Sequence, residues 1–144
     1  MTSSAREAIV DVIARYGRAL DDRDFAAAAE CFTSDAQATF SGVALAPGRD
    51  AISAHVGGLA SLSSSTHLFG LPVIVLADDE RSAIVETTAV AFLAAADDGH
   101  VRSRGLRYRD RFVCVDDGQG GDRWLISNRV HRVDWMTQHA ATPL

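Results

Sequence analysis

The hydrophobic period of this 144-residue chain changes from helical to extended near residue 66. Before that point, apolar residues recur every three or four positions, which is the pattern of helices with one buried face. Beyond it, Val, Ile, Thr and Phe are enriched, and Leu106–Val115 alternates residue by residue with the period of a strand. Helices followed by antiparallel strands indicate an α+β fold in which the helices pack on one face of the sheet.

The helical half of the chain predicts three helices. The first covers Ala5–Leu20, and the second covers Phe25–Phe32 behind an N-cap at Asp24. The third follows a cap at Asp50 and directs three apolar residues inward: Ile52, Val56 and Leu59. Ser61–Ser65 is predicted to be a polar linker between the two halves.

Strands are predicted where β-branched and aromatic residues lie between turn signals. The predicted strands are Gln37–Ser41, Thr66–Leu76, Ser82–Ala95, Leu106–Val115 and Trp124–Trp135. Turns are predicted at Asp78–Glu80, Ala96–Gly99 and Asp116–Asp122, and Thr137–Leu144 is either a cap over a pocket or a mobile tail. The sequence contains no internal repeat and no domain linker, so residues 1–144 are predicted to form one domain.

Charge and composition exclude several classes of partner. The net charge is -5 and the sequence pI is near 5.4, whereas a phosphate-binding surface needs a basic face, so neither nucleic acid nor membrane is expected. The longest apolar stretch, Phe69–Ala77, is too short to span a bilayer, and the N-terminus lacks the apolar run of a signal peptide. Cys31 and Cys114 make no disulfide framework, which predicts reduced thiols in a cytoplasmic protein.

A strongly curved sheet would enclose a pocket between its concave face and the helices. Such pockets are mostly apolar with a few placed polar groups, so the expected partner is a small hydrophobic molecule. The convex face of a curved sheet is commonly buried against a copy, which predicts a homo-oligomer, either a dimer or a trimer. Arg107, Arg109 and Arg111 alternate onto one side of their strand, where they either line that interface or stay solvated.

Two polar residues stand at element ends where chemistry is possible. Asp21 follows the apolar stripe of the first helix, where a carboxylate opposes the helix dipole, and it is either a solvated turn residue or functional. His67 begins a strand and shares a side with Phe69, Leu71, Val73 and Val75 if that strand is regular. His67 is either a satisfied core residue or, beside a carboxylate in an apolar pocket, a general base whose tautomer the carboxylate fixes.

The fourth predicted strand places Tyr108 and Asp110 on the side opposite the three arginines, together with Phe112. A buried carboxylate is costly unless it is paired, so Asp110 needs a partner, and it either anchors a neighbouring segment or serves the pocket. Tyr16 lies on the first helix's stripe and needs a hydroxyl partner if it is buried.

Both faces of the last predicted strand carry apolar residues, so its inward face is left open. Arg129 and His131 share one parity, while Asn128 and Val130 share the other, and a bulge could switch faces midway. The remaining histidines, His55, His100 and His139, are predicted to be surface, turn or tail residues. No spacing resembles a metal site, a phosphate-binding glycine loop or a nucleophile elbow, so no metal and no cofactor are expected.

Several segments, in their order and spacing, resemble the SnoaL-like proteins of the nuclear-transport-factor-2-like superfamily. The segments that carry the resemblance are Tyr16–Phe25, Cys31–Ala36, Gly48–Ile52, Ser65–Leu68, Gly105–Phe112, Trp124–Ile126 and Val133–Trp135. The resemblance covers nearly the whole chain. It implies a cone in which helices close a curved antiparallel sheet around a deep pocket.

Within that superfamily, the sequence is most similar to the branch that contains scytalone dehydratase, hexachlorocyclohexane dehydrochlorinase and bile-acid 7α-dehydratase. The resemblance implies that His67 is a general base paired with Asp21, that Tyr16 assists, and that Arg129 matches a last-strand arginine. The second pocket histidine of scytalone dehydratase has no counterpart here, where the sequence has Ala94–Ala96. The predicted substrate contacts are Tyr108, Asp110, Arg129, His131, Phe69, Phe92 and Phe112.

The leading hypothesis is a cofactor-independent, dehydratase-like lyase or isomerase. It would take a proton from a small apolar cyclic substrate that carries a carbonyl or hydroxyl group, with His67 as base, Asp21 orienting it, and Tyr16 or Tyr108 donating to the developing oxyanion or leaving oxygen. The alternatives are a non-catalytic ligand-binding or assembly module of the same fold, and a polyketide cyclase.

Overall fold

The computed structural model describes residues 4–97 and 99–142 of the chain. In that part, three α-helices and seven β-strands follow one another along the sequence. The helices are α1 (Ala5–Asp21), α2 (Phe25–Glu30) and α3 (Arg49–Val56), and a short 3-10 helix, Gly57–Ser61, follows α3. The strands are β1 (Phe32–Phe40), β2 (Val43–Ala44), β3 (Leu62–Phe69), β4 (Val73–Leu76), β5 (Ser82–Ala95), β6 (His100–Asp116) and β7 (Asp122–Ala140).

The seven strands form one curved sheet whose concave face is closed by the helices, so the predicted α+β cone is confirmed. The strand order is β2-β1-β7-β6-β5-β3, and β4 pairs with the other end of β5. All pairs are antiparallel except β1 with β7, which is parallel. The three longest strands, β5 to β7, therefore form the centre of the sheet, and the core lies between them and α1.

Helix α1 begins and ends close to its predicted bounds. Ser4 is its N-cap: its hydroxyl accepts from the Glu7 N–H at 3.2 Å, and its own N–H donates to the Glu7 carboxylate at 2.7 Å. This capping box satisfies two of the otherwise unpaired donors of the first turn. The predicted stripe is the buried face, with Ile9 and Tyr16 at most 1% exposed.

Helices α2 and α3 differ in detail from their predicted bounds. Helix α2 ends at Glu30, and β1 already begins at Phe32, so both the predicted helix end and the predicted strand start were wrong. Asp24 caps α2 as predicted, accepting from the Ala27 N–H at 3.0 Å. The N-cap of α3 is Gly48, at φ 106°, and not Asp50, because the chain enters this helix through a left-handed turn that glycine adopts without strain.

The single strand predicted over Thr66–Leu76 is wrong, because the chain breaks into β3 and β4. Pro72 has no N–H to donate to a ladder, and Gly70 instead donates from its N–H to Thr88 O at 2.8 Å. The inward side changes across the break: His67 and Phe69 face the helices in β3, whereas Val73 and Val75 of β4 are more than half exposed.

The prediction that His67, Phe69, Leu71, Val73 and Val75 share one side of a strand is therefore wrong for the residues beyond Phe69. The predicted linker Ser61–Ser65 is also wrong, since β3 begins at Leu62.

Two bulges in β7 determine which of its residues point toward the concave face, which its sequence leaves open. The pairing with β6 skips one residue between Ile126 and Asn128, and again between Val133 and Trp135. Each skip lets two residues of different parity point inward. Ile126 is consequently buried on the concave face, and beyond the first bulge Arg129 and His131 take that face.

The end of the chain, where a cap or a mobile tail was predicted, continues the sheet as far as Ala140. β7 continues to Ala140 and pairs with His100 at the start of β6, so Thr137–Ala140 is strand and neither a cap nor a tail. Residue 98 of the predicted turn Ala96–Gly99, and residues 143 and 144 of the predicted tail, lie outside the described residues. Both cysteines are free. No helix of the described part is long and apolar enough to cross a membrane.

Gly17 in α1 gives a test of the packing between helix and sheet. A Cβ at this position would lie 2.2 Å from Cε2 of Phe69, so Gly17→Ala forces the ring to move. We expect a net loss of about 1 kcal/mol of unfolding free energy, because overpacking costs about 1–3 kcal/mol and the gain in helix propensity returns about 1 kcal/mol.

Urea denaturation of Gly17→Ala measures this loss. In the double variant Gly17→Ala/Phe69→Leu the shorter side chain leaves room for the methyl group, so the two substitutions should be clearly non-additive. Additive losses would show that the two side chains do not compete for space.

Candidate active site

A cavity of about 530 Å³ lies between the concave face of the sheet and the helices. Its wall is mostly apolar, with side chains that include Leu20, Val56, Leu59, Ala91, Leu93 and Leu106. Strand β5 crosses the centre of the sheet and contributes alanine at position 91, where a larger side chain would fill the space. The size and the apolar lining are those of a small-molecule site.

The imidazole of His67 lines this cavity and is held by the carboxylate of Asp21. The distance from His67 Nδ1 to Asp21 Oδ1 is 2.6 Å, and the side chains of His67 and Asp21 are 5% and 24% exposed. The same carboxylate also accepts from the His67 backbone N–H at 2.7 Å and from the Ser65 hydroxyl at 2.9 Å. Because an ionised carboxylate can only accept, Nδ1 carries the hydrogen and Nε2 keeps its lone pair.

The end of α1 is built to hold Asp21 in this position. The Asp24 N–H bonds to Ala19 O and the Arg23 N–H bonds to Leu20 O, which is the Schellman closure of a helix. Arg23 takes the left-handed position, at φ 64°, where glycine is usual. Its guanidinium donates to the Ser65 hydroxyl at 2.8 Å, so the strained residue (about 1 kcal/mol) supports the hydroxyl that holds Asp21.

A buried ion pair lies behind the cavity wall. Asp110 and Arg129 are at most 2% exposed and form two parallel hydrogen bonds, of 2.8 and 2.7 Å, between neighbouring strands. The rings of Tyr16 and Tyr108 lie on the guanidinium, each with its centroid 4.3 Å from Cζ. The bidentate geometry and the two cation–π contacts offset the desolvation of both charges.

The surroundings of this pair keep the two tyrosines protonated. Burial raises the pKa of the Tyr16 hydroxyl above its ordinary value, although the Arg129 charge opposes that shift. Burial also raises the pKa of Tyr108, and the neighbouring Tyr16 adds to that shift. Burial opposes the charge of Arg129, but Asp110 outweighs it and raises the Arg129 pKa. Both phenols therefore remain hydrogen-bond donors at any physiological pH.

A second polar group of side chains lines the same cavity. The ring of Phe40 contacts His55 at 4.3 Å and His131 at 5.2 Å between centroids, and His131 contacts Tyr108 at 5.2 Å. His131 is 9% exposed, and its Nδ1 is buried without a hydrogen bond to any described residue. Arg104, from β6, completes this part of the lining.

Both imidazoles of this second group favour the neutral form. Burial, with Arg129 and then His55 and Arg104 nearby, lowers the pKa of His131 to about 4. Partial burial also lowers the pKa of His55. Near pH 7, Arg104 is therefore the residue in this group that carries a charge.

The structure brings together some of the predicted site residues and separates others. His67, Tyr16, Tyr108 and His131 all line the cavity, and Asp21 contacts His67 from behind that lining. Phe69 is half-buried beside it, 6.4 Å from the His67 ring.

Four predicted substrate contacts lie elsewhere. Phe92 is 37% exposed on the opposite face of β5, because Ala91 and Leu93 are the inward residues there. Phe112 is fully buried in the core and does not line the cavity. Asp110 and Arg129 form the ion pair behind Tyr16 and Tyr108, so they contact the lining tyrosines and not the open space. Direct substrate contact does not fit these placements.

Arg104 and His55 line the cavity but were not among the site residues predicted from the sequence, although the sequence pattern could have indicated both. Extending the alternation of Tyr108 and Leu106 by one further step gives Arg104. His55 is exposed, as predicted for a surface residue, yet it completes the helical stripe of Ile52 and Val56 and faces the cavity. Among residues 4–97 and 99–142, no three His, Cys, Asp or Glu side chains come close enough to hold a metal ion.

The structure is thus a cone-shaped α+β domain with a histidine–aspartate pair at the wall of an apolar cavity. The model of the SnoaL-like domain family matches residues 1–130, and the chain belongs to this family, within the nuclear-transport-factor-2-like superfamily. No curated protein matches it significantly.

Solved structures share the fold at low sequence identity. A candidate scytalone dehydratase from Novosphingobium aromaticivorans is 23% identical with a TM-score of 0.81, covering 96% of this chain and 91% of that chain. Hexachlorocyclohexane dehydrochlorinase LinA-type3 from Novosphingobium barchaimii is 16% identical with a TM-score of 0.81, covering 96% and 92%. ActVI-ORFA from Streptomyces coelicolor is 22% identical with a TM-score of 0.72, covering 89% and 96%.

Asp110→Asn tests the contribution of the buried ion pair. The substitution leaves the Arg129 charge without its counter-ion, which costs about 3–5 kcal/mol for a buried pair. Chemical denaturation measures the loss. The matched control is Asp122→Asn, which breaks the exposed pair with Arg81 and should cost far less, because water solvates both of those charges. Similar losses in both variants would contradict the assigned role.

His131→Gln tests whether the buried imidazole stays neutral. The unfolded chain takes up a proton near pH 6.5, whereas the folded protein does so near pH 4, so His131 removes stability as the pH falls through this window. The expected slope is up to about 1.4 kcal/mol per pH unit, and the total is about 3 kcal/mol at most. Denaturation at several pH values should show a shallower dependence in His131→Gln, and no change in the exposed control His139→Gln.

Proposed function

We propose that this protein is a cofactor-independent lyase or isomerase that removes a proton from carbon in a small, largely apolar cyclic substrate. The observation that carries the proposal is the 2.6 Å contact between Asp21 Oδ1 and His67 Nδ1 at the wall of the cavity. This contact leaves Nε2 as the free base, and proton transfer by a positioned base typically contributes about 10²–10⁴-fold to the rate.

The proton transfer is favoured by the charge of Asp21. When His67 takes the proton it becomes an imidazolium, and the adjacent carboxylate stabilises that cation at the wall of a mostly apolar cavity. The three hydrogen bonds that Asp21 accepts fix its orientation before the substrate arrives. Preorganisation of this kind lowers the barrier because no groups need to be rearranged during the reaction.

The tyrosines supply the acid half of the reaction. The phenols of Tyr16 and Tyr108 line the cavity and stay protonated, since burial raises the pKa of both. The Arg129 charge over both rings strengthens the phenols as donors. In this proposal they donate to the oxyanion that forms when a carbonyl substrate loses its α-proton.

Neither an elimination nor an isomerisation by this mechanism needs an added reagent. In an elimination, the C–H electron pair forms the new double bond, and the leaving group departs with its own bonding pair. His67 holds the abstracted proton and then passes it to the leaving group or to water. In an isomerisation, the imidazolium returns the proton to a different carbon. Two of the similar structures, the candidate dehydratase and the dehydrochlorinase, are named for eliminations.

The test combines two substitutions at the dyad with a neighbouring control. His67→Gln and Asp21→Asn should lower kcat by about 10²–10⁴-fold on any substrate found in a panel of β-hydroxy ketones and polyketide-like cyclic ketones. Asp22→Asn alters the next carboxylate, which is exposed and pairs with Arg18, and it should keep near-normal activity. Thermal denaturation of each variant separates loss of the base from loss of the fold.

Activity that survives both dyad substitutions would rule out this mechanism. Binding of panel compounds without turnover would instead support a non-catalytic ligand-binding module of the same fold. Ring closure as the observed product would identify a polyketide cyclase that uses the same pocket. A measurement without substrate, the ¹⁵N NMR spectrum of His67, should show the hydrogen on Nδ1 at neutral pH and lose that preference in Asp21→Asn.

The proposal also includes a homo-oligomer, dimer or trimer, in the cytoplasm. Apolar side chains on the outer side of the sheet support an interface there, among them Val73, Val75, Ile84 and Val130, which are 41–65% exposed. The arginines of that side remain partly solvated, and Arg109 and Arg107 are 70% and 60% exposed in their ion pairs.

A further inference from the structure

The cavity lining contains one formally charged side chain. Arg104 projects into it from β6, and no aspartate or glutamate is among the lining residues. Within residues 4–97 and 99–142, Arg104 has neither a hydrogen bond nor an ion pair with another side chain. A guanidinium that is partly buried in an apolar cavity without a counter-ion is unfavourable, and the usual partner of such a group is an anion from a ligand.

The guanidinium groups of the other two arginines near the cavity already have hydrogen-bond partners. Arg129 forms its two hydrogen bonds with Asp110, and Arg23 is engaged by Ser65 at the end of α1. The carboxylate of Asp21 is committed to His67 behind the lining. Arg104 is thus left as an uncompensated positive charge on the inner surface.

The sheet register places Arg104 on the same row as His67. His67 pairs with Ala91 across β3 and β5, and Ala91 pairs with Arg104 across β5 and β6. Residues on one row of an antiparallel sheet face the same side, and neighbouring strands are about 4.8 Å apart, so the two Cα atoms are separated by about 10 Å. Ala91, whose side chain is a methyl group, is the residue between His67 and Arg104 on this row.

The polar residues beside Arg104 can complete an anion site. His131 has a buried Nδ1 with no hydrogen-bond partner among the described residues, and it lines the same cavity. His131 and His55 both contact the ring of Phe40 in a tilted arrangement. A neutral imidazole presents one N–H donor, which suits an acceptor oxygen held by the neighbouring guanidinium.

We propose that the substrate of this site carries a carboxylate, which Arg104 binds while the reacting carbon lies against His67. The inference rests on the proposed function for the position of the reacting carbon, and it adds the charge and the orientation of the substrate. The guanidinium and carboxylate form two parallel hydrogen bonds, which fix the direction of a planar group. The apolar ring system then spans Ala91 toward the dyad.

The experiment compares two probes of matched shape, 2-naphthoate and its neutral amide, 2-naphthamide. Isothermal titration calorimetry with the full chain should show that the carboxylate binds about 10- to 100-fold more tightly, the range expected for a charge-assisted hydrogen bond. Arg104→Gln should reduce that preference to about threefold or less. Arg104→Lys keeps the charge and should retain part of it.

Two controls separate the anion site from the fold and from the dyad. Arg111→Gln removes an exposed arginine from the opposite face of the same strand and should leave the preference unchanged. His67→Gln should also keep the preference for the carboxylate even where it abolishes turnover, so a failed dyad and a failed anion site give different results. Equal binding of the two probes by the unsubstituted protein, no binding of either probe, or an undiminished preference in folded Arg104→Gln overturns the proposal.

Discussion

The bidentate pairing of Asp110 with Arg129 is the interaction on which the inner architecture depends. Each charge is almost fully buried, so each is tolerable only because the other is 2.7–2.8 Å away. The pair joins β6 to β7 and provides the flat cation on which Tyr16 and Tyr108 rest. Both tyrosines line the cavity, so the orientation of its polar wall follows from an ion pair that is not itself part of the lining.

The cavity has two chemical regions, one basic and one cationic, because different strands of the sheet contribute different side chains to its lining. Strand β3 supplies the imidazole of His67, which the end of α1 orients through Asp21. Strand β6 supplies Arg104, and β7 supplies His131. The alanine of β5 between them keeps the space open. A base in one region and a cation in the other would hold an asymmetric ligand in a single direction, which is what selective proton removal requires.

The sequence predicts the cone, the first helix and the positions of Asp21 and His67, because periodicity and family resemblance depend on order along the chain. The alternation of β7 does not show which face Arg129 takes, and only the resemblance implies a pocket role for it, because the bulge at Ser127 is a property of the pairing between strands and leaves no local signature. Alternation along β6 shows that Arg104 lies on the side of Leu106 and Tyr108, but the absence of a carboxylate from the cavity lining is visible only in three dimensions.

The left-handed residue after α1 makes the dyad sensitive to local opening of the chain. Arg23 bonds to Leu20 O, Leu62 O and the Ser65 hydroxyl, so fraying of that one helical turn releases the support of Asp21 while the sheet stays intact. Segments of this size open at a lower free energy than the whole domain. Heat inactivation of this protein would then precede its melting, and it would be reversible on cooling.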